Sequence, residues 1–274
     1  MAGPKYGQID HDYGLRLATT QPDEDGPIWM VNLMKYHDVA QYEDNSSQKI
    51  SGREADNLYT PLEPLAAIGA EIVYVGNVET KLLGDERDWD RIAVVKYPTR
   101  RSFIEMQQRN DFKEKHVHKE AGMKETIVMG CLPVDLPIVE ISETDWEDVP
   151  YPPSEDDGPI AVLYVLKFES GTRMDETPQD MEKYQEKAAE VGLKNGLRIS
   201  GWFGVEGTIV GDGRKWDQVR FNTFPSKAAF MEVVNDPNRL EAQKTHRERA
   251  IADTYTLIVR TSLDNLAAST SPSG

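Results

Sequence analysis

The strongest hydrophobic pattern in the chain is a pair of apolar runs at residues 28–36 and 160–168. Each run is apolar at almost every position and ends at charged or polar residues, which is typical of a strand buried on both faces. Three further apolar runs follow each of these two and predict the remaining strands of two similar units: 71–83, 89–97 and 126–132 in the first, and 198–210, 216–224 and 254–259 in the second.

Two helices are predicted within each unit, one after the first strand and one before the last. In the second unit, Tyr184 and Ala188 belong to a helical repeat of apolar positions that begins after the start signal at residues 177–180. The matching region of the first unit contains Pro61 and Pro64, so its helix has the weaker pattern. A proline followed by Thr or Ser starts the other helix in both units, at residues 98–99 and 225–226.

The second half of the chain repeats the first in three blocks that keep their order. Residues 69–103 align with residues 196–230 without a gap, at a constant offset of 127 positions. The tetrapeptide Asp-Gly-Pro-Ile opens the first strand in both halves. A His-(Lys/Arg)-Glu triplet recurs late on the second helix, at residues 118–120 and 246–248. Three aligned blocks in one order predict two copies of a single domain.

The predicted element order of each copy is βαββαβ, the ferredoxin-like or split βαβ arrangement. Such a sheet carries helices on one face, and a second copy covers the other face. The predicted fold class is therefore α+β, with tandem ferredoxin-like βαββαβ repeats forming an intramolecular dimeric α/β barrel. The predicted divisions are an N-terminal extension at 1–23, repeat 1 at 24–133, an acidic Pro-rich linker at 134–157, repeat 2 at 158–262 and a disordered tail at 263–274.

Charge and cysteine content narrow the classes of partner. The formal net charge of −16 disfavours binding to nucleic acid or to anionic membranes. The single cysteine, Cys131, excludes an intrachain disulfide and a Cys-rich zinc site. The N-terminal residues have no apolar signal region, and no stretch has the apolar length needed to span a bilayer. A cytoplasmic location is therefore expected.

Four short motifs make the chain similar to a known superfamily: Val-Asn-Leu at 31–33, the turn Gly-Asp…Trp-Asp at 84–90, Tyr-Pro-Thr at 97–99 and the helix end at 118–126. They resemble the dimeric α/β-barrel superfamily and, within it, the uncharacterised DUF1330 family most closely. Together with a weaker match at 246–254, the resemblance covers most of residues 24–262. Members of the superfamily include cofactor-free monooxygenases, muconolactone-type isomerases, polyketide cyclases and heme enzymes. Because one fold hosts many activities, the site has to be argued from its residues.

Two histidines, His118 and His246, occupy the same position in the two repeats. A histidine titrates near neutral pH and can act as a general base, and His118 is the predicted base. The alternative is a helix-terminal motif in which the helix dipole favours a cation. His116 lies two residues before His118, so on a helix the two side chains point about 200° apart and do not chelate one metal. No metal site is predicted.

A polar residue stands at the same central position of the first strand in both repeats, Asn32 in repeat 1 and Tyr164 in repeat 2. Buried polar groups need partners, so this position predicts either a pocket or a structural hydrogen bond to the adjacent strand. The predicted catalytic residues are His118, Asn32, Tyr74 and Glu79, with Asn32 and Tyr74 holding a developing oxyanion. The predicted substrate-binding residues, several of which could equally be core, are Trp29, His116, Trp89, Tyr164, Trp202 and His246.

Repeat 1 is the predicted active half, with residues 37–57 as a lid and repeat 2 as a structural partner. Fingerprints of nucleotide binding and of serine hydrolases are absent from the sequence. The predicted function is a small-molecule enzyme without metal or nucleotide cofactor that performs acid/base chemistry of the isomerase, cyclase, lyase or cofactor-free monooxygenase type. One alternative is heme binding or heme chemistry with His118 or His246 as axial ligand. The other is a non-catalytic ligand-binding or assembly module.

The predicted partner is a small-molecule substrate. The predicted assembly is a monomer that forms a pseudo-dimer by itself, or a homodimer of such chains.

Overall fold

The computed structural model describes residues 4–43, 49–135, 144–171 and 173–271. The chain divides into two compact units, each built from three segments. Unit 1 consists of Met1–Val75, Asp88–Leu132 and Glu206–Lys215. Unit 2 consists of Gly76–Arg87, Pro133–Val205 and Trp216–Gly274.

Nine strands form the β-structure of the described residues. In chain order they are β1 (Gln8–Ile9), β2 (Ile28–Tyr36), β3 (Glu71–Leu83), β4 (Arg91–Tyr97), β5 (Met123–Pro133), β6 (Ile160–Phe168), β7 (Arg198–Gly211), β8 (Gln218–Phe224) and β9 (Ile251–Asp264). All eight strands predicted from the apolar runs are present, and the last strand of each repeat is longer than predicted because it continues past its apolar centre.

The helices of the described residues fall between these strands. They are α1 (His11–Thr19), α2 (Gly52–Tyr59), α3 (Leu62–Ala67), α4 (Arg100–Gln108), α5 (Asn110–Gly122), α6 (Gln179–Lys194), α7 (Lys227–Asn235), α8 (Pro237–Ala242), α9 (Glu248–Ala250) and α10 (Leu266–Thr270). A π-helical turn, Gln243–Arg247, joins α8 to α9. The predicted α+β class with two βαββαβ repeats is confirmed by this order. Among the described residues, no helix has the length and apolar character needed to cross a membrane.

The sheet of unit 1 has β2 at its centre, paired antiparallel with β4 and β5. Its strand order is β1, the end of β7, β5, β2, β4 and the start of β3. Residues 28–31 of β2 are buried in succession, so both faces of the strand are covered. This burial explains why the run is apolar rather than alternating.

The sheet of unit 2 is built in the same way around β6, which pairs antiparallel with β8 and β9. Its order is the end of β3, β9, β6, β8 and the start of β7. Each repeat makes the same contact at the end of its first strand. Asp90 accepts a hydrogen bond from the Tyr36 amide at 2.8 Å, and Asp217 accepts one from the Phe168 amide at 2.7 Å. The repeated aspartates are therefore explained by the turn they hold.

The helix after the first strand differs between the repeats. In repeat 2 it is the single helix α6, whereas in repeat 1 the chain breaks into α2 and α3 at Pro61. Proline lacks an amide hydrogen and restricts the residue before it, which accounts for the break. Gly69 and Gly196 follow these helices with φ of 71° and 79°, a left-handed conformation that glycine adopts without steric cost.

The second predicted helix of each repeat starts where expected but is not continuous. Thr99 and Ser226 cap α4 and α7, each accepting a hydrogen bond from the amide three residues later. The helix then stops at an extended residue, Arg109 in repeat 1 and Asp236 in repeat 2, before the next helix begins. Asp236 caps α8 through the Arg239 amide, so a new helix start interrupts the old one.

The C-terminal segment corrects one expectation. Residues 263–274 are predicted to be disordered, but α10 occupies Leu266–Thr270 and the Leu266 side chain is fully buried. Its amide also bonds to the Asp264 carboxylate at 3.1 Å. The burial of one apolar side chain, that of Leu266, therefore orders a segment that otherwise consists of small and polar residues. Parts of the predicted lid, linker and tail, at 44–48, 136–143 and 272–274, lie outside the described residues.

Candidate functional site

A cavity of about 930 Å³ lies in unit 2 between the sheet and the helices that cover it. Side chains of β6, β7 and β8 line its sheet side, and side chains of α6, α7, α8 and the π-helical turn line its helical side. A volume of this size is within the range of small-molecule sites in proteins. The cavity is therefore a candidate ligand site in this unit.

A buried arginine on β8 occupies the sheet side of the cavity. Arg220 is 4% exposed, and its Nε donates to the Gln218 Oε1 at 3.0 Å. Its Nη1 donates to the Gln185 Oε1 at 2.5 Å, and the guanidinium carbon lies 3.8 Å from the centre of the Trp202 ring. These partners are neutral, and no carboxylate among the described residues forms an ion pair with Arg220.

A second buried arginine enters the cavity from the π-helical turn. Arg247 is 5% exposed, and its buried Nη2 has no hydrogen-bond partner in the described part of the chain. Its guanidinium carbon lies 5.9 Å from the centre of the Tyr184 ring. A π-helical turn often occurs at a functional site because the extra residue redirects a side chain. Here the turn ends at the residue that carries the unpaired cation.

A third arginine, Arg239 of α8, is held by neutral groups. Its Nε and Nη2 donate to the Tyr184 hydroxyl at 3.2 and 3.0 Å, and its Nη1 donates to the Val234 carbonyl at 3.2 Å. The cavity thus receives three cationic side chains whose described partners are amides, hydroxyls and aromatic rings.

Acidic residues also border the cavity, but at its exposed rim. All five are exposed: Asp135, Asp175, Glu176, Glu182 and Glu186.

Burial, followed by the charge of Arg247, lowers the pKa of Arg220 well below its ordinary value. A buried cation without a counter-charge is costly because the lost hydration is not replaced. The interior of the cavity is therefore electropositive and its mouth is electronegative.

Part of the cavity wall is apolar. Leu197, Phe224, Phe230 and Val233 are buried members of one hydrophobic cluster, and all four line the cavity. Apolar walls with a few convergent polar groups are the usual composition of a small-molecule site.

Two of the predicted substrate-binding residues line this cavity, namely Tyr164 and Trp202. Tyr164 stands on β6, and burial raises the pKa of its phenol far above neutral pH. The phenol is therefore a proton donor rather than a base under ordinary conditions. Trp202 presents its ring to the Arg220 guanidinium, a stacking that holds the arginine in one orientation.

His246 precedes Arg247 in the π-helical turn and is not among the residues that line the cavity. Its Nδ1 lies 2.8 Å from the Asp180 Oδ1 of α6. The hydrogen bond from His246 lowers the pKa of the Asp180 carboxyl. This pair ties the π-helical turn to α6 and so fixes the segment that places Arg247.

The predicted catalytic residues of repeat 1 have separate partners. The His118 Nδ1 lies 2.7 Å from the Tyr42 hydroxyl, whereas the Asn32 Nδ2 donates to the Met30 carbonyl at 2.9 Å. Tyr74 on β3 is fully buried. The Asn32 Nδ2 also donates to the Ala93 carbonyl of the adjacent strand β4 at 3.5 Å, which is the kind of structural hydrogen bond that the alternative interpretation of this position expects.

His116 occupies a more enclosed place on α5 than His118. Its Nε2 lies 3.3 Å from the Tyr6 hydroxyl, and its buried Nδ1 has no hydrogen-bond partner in the part of the chain that the structure describes. Burial, with a smaller contribution from Lys119, lowers the pKa of the imidazole to about 4. His116 is therefore neutral at physiological pH. Because His116 and His118 have different partners, they do not form a shared ligand pair.

The remaining predicted residues are engaged in packing or pairing. Trp29 and Trp89 are buried, and the Lys96 amine lies 5.1 Å from the centre of the Trp29 ring. Glu79 forms a two-point ion pair with Arg260, with distances of 2.9 and 3.2 Å. In the described residues, no group of three or more His, Cys, Asp or Glu side chains is placed to hold a metal ion.

The three arginines were not predicted as site residues from the sequence. Arg220 lies inside an apolar strand run where the aligned residue of repeat 1 is Ala93. A charged residue in a buried strand was the signal that could have identified the site, in the same way that Tyr164 was identified. This cavity is lined mainly by residues of repeat 2, whereas repeat 1 is the predicted active half.

No family model matches the chain, and no curated protein matches it. Solved structures give partial likenesses. A protein of unknown function from Rhodopseudomonas palustris is 23% identical, with 48% of this chain and 98% of that chain covered and a TM-score of 0.42. A mutant chlorite dismutase from Candidatus Nitrospira defluvii is 11% identical over 90% of this chain and 96% of that chain, with a TM-score of 0.48. An anthrone oxidase-like protein is 13% identical over 92% and 98%, with a TM-score of 0.47. At these values the likenesses assign no activity to this chain.

Proposed function

We propose that the chain is a small-molecule enzyme whose site is the cavity of unit 2. The observation that carries the proposal is the convergence of buried, polar side chains on a ligand-sized space with apolar walls. Sites of this composition bind organic molecules and orient them through a few fixed polar groups. The proposal moves the predicted chemistry from repeat 1 to repeat 2.

The chemistry that these residues support is proton transfer with stabilisation of negative charge. Gln218 and Gln185 hold the Arg220 guanidinium in place, so its charge is already oriented when an oxyanion forms. Tyr164 lines the cavity as a protonated phenol and can donate a proton to an enolate or alkoxide. Isomerisation, cyclisation, elimination and cofactor-free oxygenation of a carbonyl compound all pass through such an anion.

A metal or nucleotide cofactor is not part of the proposal. The charged groups buried in the cavity, Arg220 and Arg247, are cationic and repel a metal ion. The sequence carries no phosphate-binding fingerprint. Membership of the DUF1330 family remains part of the proposal and rests on the motifs at residues 31–33, 84–90, 97–99 and 118–126.

Heme chemistry is the second prediction from the sequence. Its predicted axial ligands, His118 and His246, are not among the residues that line the cavity, so the cavity does not supply the ligand that this prediction requires. An absorption spectrum after addition of hemin tests it directly. A Soret band that shifts in His246→Ala supports the heme prediction, and a spectrum equal to that of free hemin rejects it.

A cavity-filling variant tests the proposed site. Ala188 of α6 lines the cavity, and Ala188→Phe is expected to abolish the binding of carbonyl and aromatic compounds found by screening with native mass spectrometry. Ala228→Phe on α7 is the matched control, because Ala228 is exposed and does not line the cavity. Compounds that bind Ala188→Phe as tightly as the wild type would place the binding site elsewhere.

A further inference from the structure

The charge distribution within the cavity defines a class of ligand. Arg220 and Arg247 are both buried, neither has an acidic partner in the described residues, and the charge of Arg247 disfavours the charged form of Arg220. Two like charges of this kind are stabilised when an anion binds near both of them. The two side chains come from opposite walls of the cavity, the sheet and the π-helical turn.

The N–H groups of the two arginines also favour the binding of an anion. An arginine carries five N–H groups. The Gln218 side-chain oxygen accepts hydrogen bonds from the Nε and Nη2 of Arg220, and the Gln185 oxygen accepts one from its Nη1. Each terminal nitrogen of Arg220 therefore keeps one further N–H group. The Nη2 of Arg247 is buried and has no partner among the described residues. These donors suit the oxygens of a carboxylate, which accepts several hydrogen bonds at once.

The apolar lining of the cavity indicates which kind of group is attached to the anion in the ligand. Leu197, Phe224, Phe230 and Val233 form an apolar part of the wall of the same cavity. A ligand that covers it gains hydrophobic free energy in proportion to the apolar area removed from water. A small inorganic anion would leave this surface uncovered.

The acidic rim limits the total charge of the ligand. The five exposed acidic side chains at the mouth repel a multiply charged anion in the solvent phase. A phosphorylated compound carries about two negative charges near neutral pH and meets this repulsion more strongly than a monocarboxylate. The rim therefore favours a single negative charge.

We infer that the cavity of unit 2 binds an amphipathic organic monoanion, with its carboxylate between Arg220 and Arg247 and its aliphatic or aromatic body against Phe224 and Phe230. The inference rests on the proposed function for the location of the site and adds the chemical class of the ligand. Product or substrate anions of the carboxylate class fit the same arrangement.

The test compares isosteric pairs that differ only in charge. Naphthoate is titrated against naphthamide, and octanoate against octanamide, by isothermal titration calorimetry on the full-length chain. We expect each carboxylate to bind at least about tenfold more tightly than its amide, because one charge-assisted contact in a buried site contributes at least that factor. Inorganic phosphate is expected to bind more weakly than either carboxylate.

Variants assign the charge preference to the two arginines. Arg247→Met is expected to reduce carboxylate affinity at least about tenfold and to leave amide affinity unchanged. Arg249→Met is the matched control, because Arg249 is exposed, lies in the same segment and does not line the cavity. Arg220→Met is the second test, and circular dichroism confirms that each variant is folded.

The outcomes separate the two proposals. Equal affinity for carboxylate and amide, with both lost in Ala188→Phe, would overturn the anion assignment and support the cavity as the site. Carboxylate binding that persists in Ala188→Phe would overturn the location. Phosphate binding as tight as octanoate would overturn the amphipathic class, and no binding by any of these probes would contradict both proposals.

Discussion

At the scale of single residues, the unusual feature is a buried cation that has no acidic partner among the described residues. Arg247 is 5% exposed, and its buried Nη2 has no hydrogen-bond partner among the described residues. Because its lost hydration is not replaced, Arg247→Met is expected to raise the free energy of unfolding by about 1 kcal/mol in the absence of ligand. The melting temperature would rise by about 3 °C for a chain of this size. Denaturant titration checks this, with Arg249→Met as the control.

The sign of that change distinguishes a binding role from a structural one. If Arg247 supported the fold, its removal would lower stability, as removal of a buried paired charge does. A gain in stability accompanied by a loss of carboxylate binding is the pattern of a residue kept for its ligand. A destabilised Arg247→Met would contradict this interpretation.

His116 gives a second prediction at this scale, on the dependence of stability on pH. The pKa of His116 falls from 6.5 to about 4 on folding, mainly through burial, with Lys119 opposing protonation and Glu120 3.8 Å from its Nε2. The unfolded chain therefore binds a proton more readily, and stability present above pH 6.5 is lost as the pH falls towards 4.

We expect this histidine to account for about 2 kcal/mol of the stability lost over that interval. In His116→Gln the same interval should show a correspondingly smaller loss in urea titrations. His11→Gln is the control, because His11 is exposed on α1. If the two variants had the same pH profile, another group would be responsible for the loss.

At the scale of elements, the apolar pattern was sufficient for strands but not for helix breaks. Runs such as residues 28–36 became buried central strands because each is covered on both faces. The break at Arg109 had no comparable signal, since an extended residue between two helices needs neither proline nor glycine. The break at Pro61 could be anticipated, and it gives repeat 1 two short helices where repeat 2 has the continuous helix that lines the cavity.

The tail shows how one residue defines an element. Leu266 is fully buried, so Leu266→Ala is expected to lower the free energy of unfolding by about 2 kcal/mol or more through lost burial and the cavity left behind. Ala268→Ser in the same helix is the control, because Ala268 is exposed. Thermal unfolding measures both. A Leu266→Ala variant as stable as the wild type would restore the original expectation of a disordered tail.

At the scale of the whole molecule, the sequence repeat and the compact units do not coincide. Unit 1 contains Glu206–Lys215 from the second half of the chain, and unit 2 contains Gly76–Arg87 from the first half. Within unit 1, Glu206 accepts hydrogen bonds from the Tyr13 hydroxyl at 3.0 Å and the Arg100 Nε at 2.9 Å. Internal similarity could reveal the two copies. It could not reveal which strand ends each unit receives, because pairing between distant segments leaves no local pattern.

This exchange of segments predicts the behaviour of the separated repeats. A fragment of residues 1–133 lacks the Glu206–Lys215 segment of unit 1, and a fragment of residues 134–274 lacks the Gly76–Arg87 segment of unit 2. Each fragment alone therefore loses strand pairing and buried ion pairs, such as that between Arg100 and Glu206 at 2.8 Å. We expect lower helix and strand content in each fragment by circular dichroism, and recovery of the full-length spectrum when the two are co-expressed.

In size-exclusion chromatography the co-expressed fragments should elute together in equal amounts at the position of the intact chain, because they differ from it only by the missing peptide bond between residues 133 and 134. Glu206→Gln in the second fragment is expected to weaken their association, because the carboxylate that binds Arg100 and Tyr13 is replaced by a neutral amide. Glu190→Gln is the matched control, as Glu190 is exposed and pairs only with Lys187 among the described residues. Fragments that fold separately, with full-length spectra and no tendency to associate, would show that the repeats are independent domains and that the exchanged segments contribute little to either unit.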